Sequence, residues 1–276
     1  MTEATVAAHA GTDAIAAAAT RLLSAAETGA PVPPVRDLIG RDDVQAAYAV
    51  QERVTEARLS SGARVVGRKI GLTSAAVQQQ MGIAQPDFGV LFDDMAYDGG
   101  DDVPAGAVLQ PRAEAEVAFV LKSDLVEGDL DAEQVRAAID YAVAAIEICG
   151  SRVAGWDISF SDTVADNASS GAYVLGPQRL TLDEFEPRDV TMTMTVDGEE
   201  VSTGTGAACL GDPIDAVVWL ARTARRFGDP LRAGQVILSG ALGPMRPIAP
   251  GDRVRAVVRP LGAVQFTLIN TMGEES

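Results

Sequence analysis

Histidine is almost absent from this chain, whose 276 residues contain one, His9, near the N-terminus. A single histidine in that position argues against histidine catalysis and against histidine metal ligation. The chain has two cysteines, Cys149 and Cys209, and both stand beside apolar residues. They predict buried, reduced thiols without a disulfide framework, which favours a cytoplasmic protein.

Positive charge is also scarce, since 22 lysines and arginines face 39 acidic residues and the net charge is −17. Nucleic acid and anionic membrane surfaces are therefore poor partners. No run approaches the roughly 18 unbroken apolar residues that a membrane helix needs, and the N-terminus lacks the pattern of a signal peptide. An acidic protein that handles an anionic substrate would need a local cation.

Several functional motifs are missing as well. The chain contains no G-x-G-x-x-G after a strand, no P-loop and no G-x-S-x-G. Nucleotide cofactors and serine hydrolysis therefore have no support. No internal repeat is visible either.

The order of patterns predicts an α+β fold. Helices are predicted over 12–28 and about 42–59, so residues 1–62 should form a small helical N-terminal lobe. Residues 63–276 should form a strand-rich catalytic domain whose strands and helices do not alternate regularly. A helix starting after Asp131 is expected to reach about Ala144, where helix and strand patterns overlap.

Three carboxylates lie in apolar runs. Glu114 and Glu116 are two residues apart in a segment of strand-forming residues, so they should share one face of a strand. Glu147 lies in a second apolar run. Three carboxylates without histidine suit a hard divalent cation such as Mg²⁺ or Mn²⁺. The alternative is that Glu114 and Glu116 form the solvent-facing side of a half-exposed strand.

Other polar residues allow two interpretations each. Lys69, enclosed by glycines and β-branched residues, is either an ordinary edge-strand lysine or a lysine for anion binding or proton transfer. Asp87 follows a proline and fits a simple turn. The polar run 162–170 suits a turn, a helix cap or a pocket wall, of which a structural role is the interpretation we favour.

With these residues identified, the chain resembles the fumarylacetoacetate hydrolase superfamily. Within it, the chain is similar to the branch of 2-keto-4-pentenoate (2-hydroxypenta-2,4-dienoate) hydratases and 4-oxalocrotonate decarboxylases. Each matching segment is weak alone, but together they occur in order and cover about residues 40 to 270: 67–74, 85–89, 112–116, 145–147, 162–169 and 238–243.

The resemblance implies a fumarylacetoacetate hydrolase-like mixed β-sheet body and a homo-oligomer. It implies that Glu114, Glu116 and Glu147 bind Mg²⁺ or Mn²⁺, and that Lys69 and Asp87 are the catalytic proton-transfer pair. The residues that we expect to contact the substrate are Leu72, Phe88, Ser239 and Leu242.

The implied activity is a metal-dependent hydratase of meta-cleavage aromatic catabolism. It would add water to 2-hydroxypenta-2,4-dienoate (2-oxopent-4-enoate) or a close analogue, giving a 4-hydroxy-2-oxo acid. A 4-oxalocrotonate-type decarboxylase, or a hydratase of a longer dicarboxylate whose second carboxylate meets Arg246, remains an alternative. C–C bond hydrolysis is less favoured because the body has no histidine base. The presence of all three glutamates and Lys69 argues against a non-catalytic scaffold subunit.

Overall fold

The structure is a computed structural model that describes residues 10–74, 78 and 85–270. The helices in these residues are α1 Thr12–Thr28, α2 Arg36–Ile39, α3 Val44–Ser60, α4 Ala132–Ala138, α5 Phe160–Ala165 and α6 Pro213–Arg226. The strands are β1 Val65–Gly71, β2 Asp87–Phe92, β3 Ala96–Asp98, β4 Asp102–Pro104, β5 Arg112–Leu121, β6 Ile139–Cys149, β7 Ala172–Leu175, β8 Thr191–Val196, β9 Glu199–Thr205, β10 Val236–Leu238, β11 Arg246–Pro247, β12 Arg253–Arg259 and β13 Gly262–Ile269. The predicted α+β class is confirmed.

Aspartates start three of the helices. Asp43, Asp131 and Asp212 each precede the first helical residue, and each side chain accepts a hydrogen bond from a backbone N–H of the first turn. This contact satisfies a donor that would otherwise have no partner at a helix start. The predicted helix over 12–28 is α1, which is followed by Gly29 as its C-terminal cap, with a φ of 66°.

The described strands form two mixed sheets. The larger has eight strands, with the path β2-β1-β10-β5-β6-β7-β3 and β11 paired to β5, and the smaller has the order β4-β13-β12-β8-β9. Strands β5 and β6 are antiparallel neighbours in the middle of the larger sheet. Their register places Glu114 directly opposite Glu147.

Helix α4 is shorter than the sequence pattern suggested. It ends at Ala138, and strand β6 begins at Ile139, well before the expected change near Ala144. Most of β6 is buried on both faces, so its apolar residues fit either period. Pairing with the long strand β5 decides the structure, because it supplies the backbone hydrogen bonds that a helix would otherwise make.

One face of the larger sheet packs against the smaller sheet. Val117 and Phe119 of β5 share a buried core with Val254 and Phe266 of the smaller sheet. Because side chains alternate along a strand, Glu114 and the other even-numbered residues of β5 point to the opposite face. Residues of the 160–169 segment contact strands β1 and β2.

The N-terminal helices pack onto this body. Helix α1 contacts α3, α3 contacts α5, and Leu22 and Val50 belong to the same buried core as Ile70 of β1. The boundary at residues 62 and 63 therefore stays a prediction. Among the described residues, no helix combines the length and the apolar character required to cross a membrane.

Candidate active site

Lys69 and Asp87 meet on neighbouring strands. In the β1–β2 register Gly71 lies opposite Asp87, so Lys69, two residues earlier, is on the same face. Both side chains are buried, with 2% and 1% exposure. A methyl group at Gly71 would collide with Asp87 Oδ1 and would lie 3.3 Å from Lys69 Nζ. Glycine at this position therefore leaves the space in which the two charged groups approach each other.

The three glutamates share the face that carries Lys69. Glu116 and Glu147 are fully buried and Glu114 is 8% exposed. Lys69 Nζ lies 3.3 Å from Glu147 Oε1. The Gly240 N–H donates a 2.7 Å hydrogen bond to Glu116 Oε2. The alternative of a half-exposed strand is wrong for this segment, because these carboxylates are inside the protein.

Several oxygen atoms of this cluster lack hydrogen-bond partners. Among the described residues, Glu116 Oε1, both carboxylate oxygens of Glu147 and Asp87 Oδ1 are buried and accept no hydrogen bond. Buried carboxylate oxygens without partners are costly in a folded protein. Such atoms are available to interact with a cation or a ligand.

Cys149 lies close to two of the glutamates, although its sequence context predicted only a buried, reduced thiol. It lies two residues after Glu147 on β6, and its thiol donates a 3.4 Å hydrogen bond to Glu114 Oε1. One ligand atom each from Glu114, Glu147 and Cys149 lies within 4.8 Å of the others. Glu116 is not part of this group of atoms. The two-residue spacing from Glu147 was the signal that could have identified Cys149.

The electrostatics of the cluster reflect an excess of buried negative charge. Burial raises the pKa of Glu116 well above its usual range, and the charges of Glu147 and Glu114 add to the effect. Burial also raises the pKa of Glu147 to about 7, against the opposing charge of Lys69. Burial by itself would lower the pKa of Lys69, but the nearby acidic groups, with Glu147 first, raise it well above its usual value. Lys69 therefore stays protonated.

Asp87 is perturbed in the same direction as the glutamates. Burial raises its pKa, while Lys69 and a hydrogen bond from Thr163 oppose the shift. The Thr163 hydroxyl donates to Asp87 Oδ2 over 3.3 Å and lies 3.2 Å from Ser169 Oγ. A carboxyl group with a raised pKa beside a lysine is a candidate for holding and releasing a proton.

This arrangement fits a divalent cation. The oxygens of Glu147 and Glu116 that accept no hydrogen bond are the kind of donor that hard ions prefer, and two positive charges would offset the buried negative charge. Glu114 and Glu147 are the carboxylates whose oxygens approach each other, together with the thiol of Cys149. The place of Glu116 among the ligands stays a prediction.

A cavity of about 580 Å³ lies beside this cluster. Four of its lining residues are ionisable, namely Lys69, Asp87, Glu114 and Cys149. Much of the remaining wall is apolar and includes Leu72, Trp156, Ile158, Leu242 and Met245. Within the described part of the chain, Lys69 is the one cationic side chain in this wall. The cavity can therefore take a small molecule with an anionic head and an apolar remainder.

The predicted substrate-contacting residues divide into two pairs. Leu72 and Leu242 line the cavity, whereas Phe88 and Ser239 do not. Phe88 follows Asp87 on a strand, so its side chain points to the other face, where it stacks on Tyr48 with ring centroids 4.8 Å apart. The structure therefore places Phe88 in an aromatic cluster away from the cavity. The Ser239 carbonyl accepts a hydrogen bond from Cys209.

The polar run 162–170 contains both structural and cavity residues. Asp162 and Asp166 are buried and bound by arginines, Arg36 and Arg152. Thr163 and Ser169, by contrast, line the cavity beside Asp87. Ser169 is the last of three consecutive residues with positive φ, between 51° and 54°, in a backbone conformation that side chains rarely adopt.

Fold and site together define an enzyme with an enclosed acidic cluster beside a lysine–aspartate pair. Residues 64–269 match the model of the fumarylacetoacetate (FAA) hydrolase C-terminal family. The chain belongs to the fumarylacetoacetate hydrolase family.

Relatives with reported names are similar over nearly the whole chain. A TodF product hydratase of Pseudomonas putida is 53% identical over 92% of this chain and 94% of its own length. A 2-keto-4-pentenoate hydratase of Paraburkholderia xenovorans is 51% identical over 90% and 92%. The solved structure of 4-oxalocrotonate decarboxylase from Pseudomonas putida G7, complexed with magnesium and adipate, has a TM-score of 0.89 at 31% identity, covering 94% of this chain and 98% of that one.

Proposed function

We propose that this enzyme is a hydro-lyase that adds water to 2-hydroxypenta-2,4-dienoate (2-oxopent-4-enoate) or a close analogue in meta-cleavage aromatic catabolism. The product is a 4-hydroxy-2-oxo acid. The observation that carries the proposal is one cavity lined by Lys69, Asp87 and Glu114, with Glu147 Oε1 3.3 Å from Lys69 Nζ. The hydratase names of relatives at 51% and 53% identity support it.

The three glutamates are the proposed ligands of a divalent cation, Mg²⁺ or Mn²⁺. Carboxylate oxygens suit such hard ions, and the decarboxylase of similar structure was complexed with magnesium. Held by these residues, such a cation would supply positive charge that stabilises negative charge developing on the substrate.

Lys69 and Asp87 are the proposed proton carriers. Lys69 remains protonated and can donate hydrogen bonds to an anionic substrate, because the surrounding acids raise its pKa. Asp87 has one oxygen without a partner, and burial raises its pKa, so it can exchange a proton with a bound molecule. Thr163 donates to the other oxygen and thereby orients the carboxyl group.

The proposed reaction balances with one added water. The C2 hydroxyl loses its proton and C5 gains one, so the remaining carbon–carbon double bond lies between C3 and C4. Water then adds its hydroxyl to C4 while C3 gains a proton. No carbon–carbon bond breaks, and no CO₂ leaves.

The cavity favours a substrate with one carboxylate. A dicarboxylate would need a second cationic group, yet Lys69 is the one cation in the described wall. Arg246, the predicted partner of a distal carboxylate, is exposed and donates through Nε to the Val201 carbonyl. A substrate tail would meet apolar groups such as Ile158 and Leu242 instead.

A paired assay tests the proposal. The metal-free enzyme is supplied with Mg²⁺ and given either the monocarboxylate dienol or an analogue with a second terminal carboxylate. We expect the monocarboxylate to lose its ultraviolet absorption and yield a hydroxy-oxo acid without CO₂, and a chelator to stop the reaction. Faster turnover of the dicarboxylate with release of CO₂ would instead establish a decarboxylase. Loss of neither substrate would contradict an enzymatic role on these compounds.

A homo-oligomeric state and a cytoplasmic location are also part of the proposal. The homo-oligomer follows from the family resemblance. The cytoplasmic location follows from the two cysteines, which form no disulfide framework. Light scattering on the purified chain and fractionation of the source cells would test them separately.

A further inference from the structure

The cavity contains a thiol that the proposed reaction does not use. Cys149 lies on the same face of β6 as Glu147, and both Cys149 and Glu114 line the cavity. Its Sγ donates a 3.4 Å hydrogen bond to Glu114 Oε1. A small ion that enters the cavity can therefore reach sulfur and carboxylate oxygen together.

A second observation points to a ligand at this thiol. Glu147 is fully buried, its Oε1 lies 3.3 Å from Lys69 Nζ, and its Oε2 has no hydrogen-bond or ion-pair partner among the described residues. Ligand atoms of Glu114, Glu147 and Cys149 lie within 4.8 Å of one another. Zinc binds sulfur at about 2.3 Å and carboxylate oxygen at about 2.0–2.2 Å, so two donors on one ion lie at most about 4.5 Å apart. Small side-chain shifts would bring all three onto one ion.

We propose that Cys149, Glu114 and Glu147 form a binding site for a thiophilic divalent cation, of the class of Zn²⁺, Co²⁺ and Cd²⁺. The proposal deepens the proposed function in one respect, because it shares Glu114 and Glu147 with the Mg²⁺ or Mn²⁺ site. Thiolate sulfur selects softer ions, whereas carboxylates alone suit hard ones. When the ion binds, the thiol releases its proton to solvent and the sulfur forms the bond.

This site has a consequence for the enzyme. A thiophilic ion and the proposed hard ion would compete for the same two glutamates, so only one of them can occupy the cluster at a time. Zn²⁺ also binds N, O and S sites more tightly than most hard divalent ions. The presence of Cys149 therefore makes this site sensitive to traces of softer metals.

Cadmium provides the test, because a cadmium–thiolate bond absorbs in the ultraviolet and Mg²⁺ binding does not. The metal-free full chain is titrated with Cd²⁺, and we expect the absorption to rise to one equivalent. Cys149→Ser should remove the absorption and weaken Cd²⁺ binding by at least about tenfold, because loss of even an outer partner of a ligand costs about 10–100-fold. Cys209→Ser is the matched control, since Cys209 is buried, donates to the Ser239 carbonyl and does not line the cavity. It should keep the absorption.

Parallel calorimetry with Mg²⁺ separates this proposal from the proposed function. Mg²⁺ binding without any cadmium–thiolate absorption in the wild type would overturn the thiophilic site and leave the hydratase intact. Absorption that depends on Cys209 rather than Cys149 would also overturn it. Absorption that depends on Cys149 would support it even if Mg²⁺ failed to bind. Cadmium NMR of the wild type reports a sulfur donor directly, so the test does not depend on the folding of either variant.

Discussion

Two groups of buried carboxylates in this molecule are held in opposite ways. Asp162 receives hydrogen bonds from backbone N–H groups of Val35 and Ser159 and from the guanidinium of Arg36, and both of its oxygens are used. Glu147 is equally buried, yet neither oxygen accepts a hydrogen bond, and its one cationic neighbour in the described residues is Lys69 at 3.3 Å.

The difference distinguishes a buried carboxylate that stabilises the fold, Asp162, from one that adjoins the candidate active site, Glu147. The Asp162 group connects the N-terminal helices to the 160–169 segment, and its satisfied atoms leave nothing for a ligand to complete. The Glu147 cluster has buried oxygens that accept no hydrogen bond and an excess of negative charge that a cation would offset, and it adjoins the cavity. Burial alone therefore does not identify an active site, whereas buried carboxylate oxygens without partners do.

Replacing Lys69, the cationic side chain beside Glu147, should have the largest effect on activity. Lys69→Met is expected to lower kcat/KM for the dienol substrate by about 10²–10⁴-fold, the usual contribution of a general acid or base. The matched control is Lys122→Met, because Lys122 is the only other lysine of the chain and is exposed. Steady-state kinetics of both variants measure the two values of kcat/KM. Equal activities would remove Lys69 from the reaction.

Adding one methyl group at Gly71 should have the next largest effect on activity. Gly71→Ala would place a Cβ against Asp87 Oδ1 and displace Asp87 or Lys69. Since displacing a catalytic group by about 1 Å can cost about 10²-fold in rate, we expect a comparable fall in kcat. Gly67 is an unsuitable control because it also lacks space, whereas Gly11→Ala, at a position with open space and an ordinary φ of −70°, should leave kcat unchanged. Normal kcat in Gly71→Ala would show that the pair tolerates displacement.

Two amide variants should change the free energy of unfolding differently, with a loss in Asp162→Asn and no loss in Glu147→Gln. Asp162→Asn removes a buried charge from a satisfied network and should cost about 3 kcal/mol of unfolding free energy. Glu147→Gln removes a charge from a cluster with excess negative charge and should leave the metal-free protein as stable or more stable. Urea unfolding of both variants in the presence of a chelator measures the difference. A large loss in Glu147→Gln alone would reverse the assignment of the two regions.

The pH dependence of stability should also distinguish the two regions. Burial raises the pKa of Glu147 to about 7, above its ordinary value of 4.5, so in this range the folded state binds more protons than the unfolded state. The stability that this group contributes is therefore present below about pH 4.5 and is lost as the pH rises towards 7. Thermal unfolding of the metal-free wild type should show this loss, and the loss should be smaller in Glu147→Gln. Identical pH profiles would contradict the burial of an uncompensated carboxyl group.

The smallest expected effect concerns the hydroxyl that reaches Asp87. The hydrogen bond from Thr163 lowers the pKa of Asp87, so Thr163→Val should raise it. One hydrogen bond is worth about 1 kcal/mol, which corresponds to a shift of up to about one pH unit. The limb of the pH–rate profile governed by Asp87 should move to higher pH, with Thr163→Ser restoring it. A uniform fall in rate without such a movement would indicate a purely structural role.

Part of this site could be predicted from the sequence because strand geometry is local. Two glutamates two residues apart in a strand share a face, and that rule placed Glu114 and Glu116 correctly. The same rule applied to Asp87 would have turned Phe88 away from the cavity, and applied to Glu147 it would have brought Cys149 into it. These two misses are errors of application rather than limits of the sequence.

Other features depend on contacts between distant parts of the chain. The end of helix α4 is decided by pairing of β6 with β5, which the apolar pattern of 139–149 does not reveal. Asp162 and its partner Arg36 are 126 residues apart, so nothing near Asp162 in the sequence distinguishes it from the cavity residue Thr163. The hydrogen-bond count that separates the two acidic regions exists only in three dimensions.

The most direct test of a metal site in the acidic cluster is X-ray diffraction from a crystal of the enzyme grown with Mn²⁺. The data are collected at a wavelength where manganese scatters anomalously. We expect a single strong anomalous peak in the acidic cluster, within bonding distance of carboxylate oxygens of Glu114 and Glu147, and the same map will show whether Glu116 is a third ligand. A map with manganese bound only at surface carboxylates, and with none beside Glu147, would contradict a metal site in this cluster.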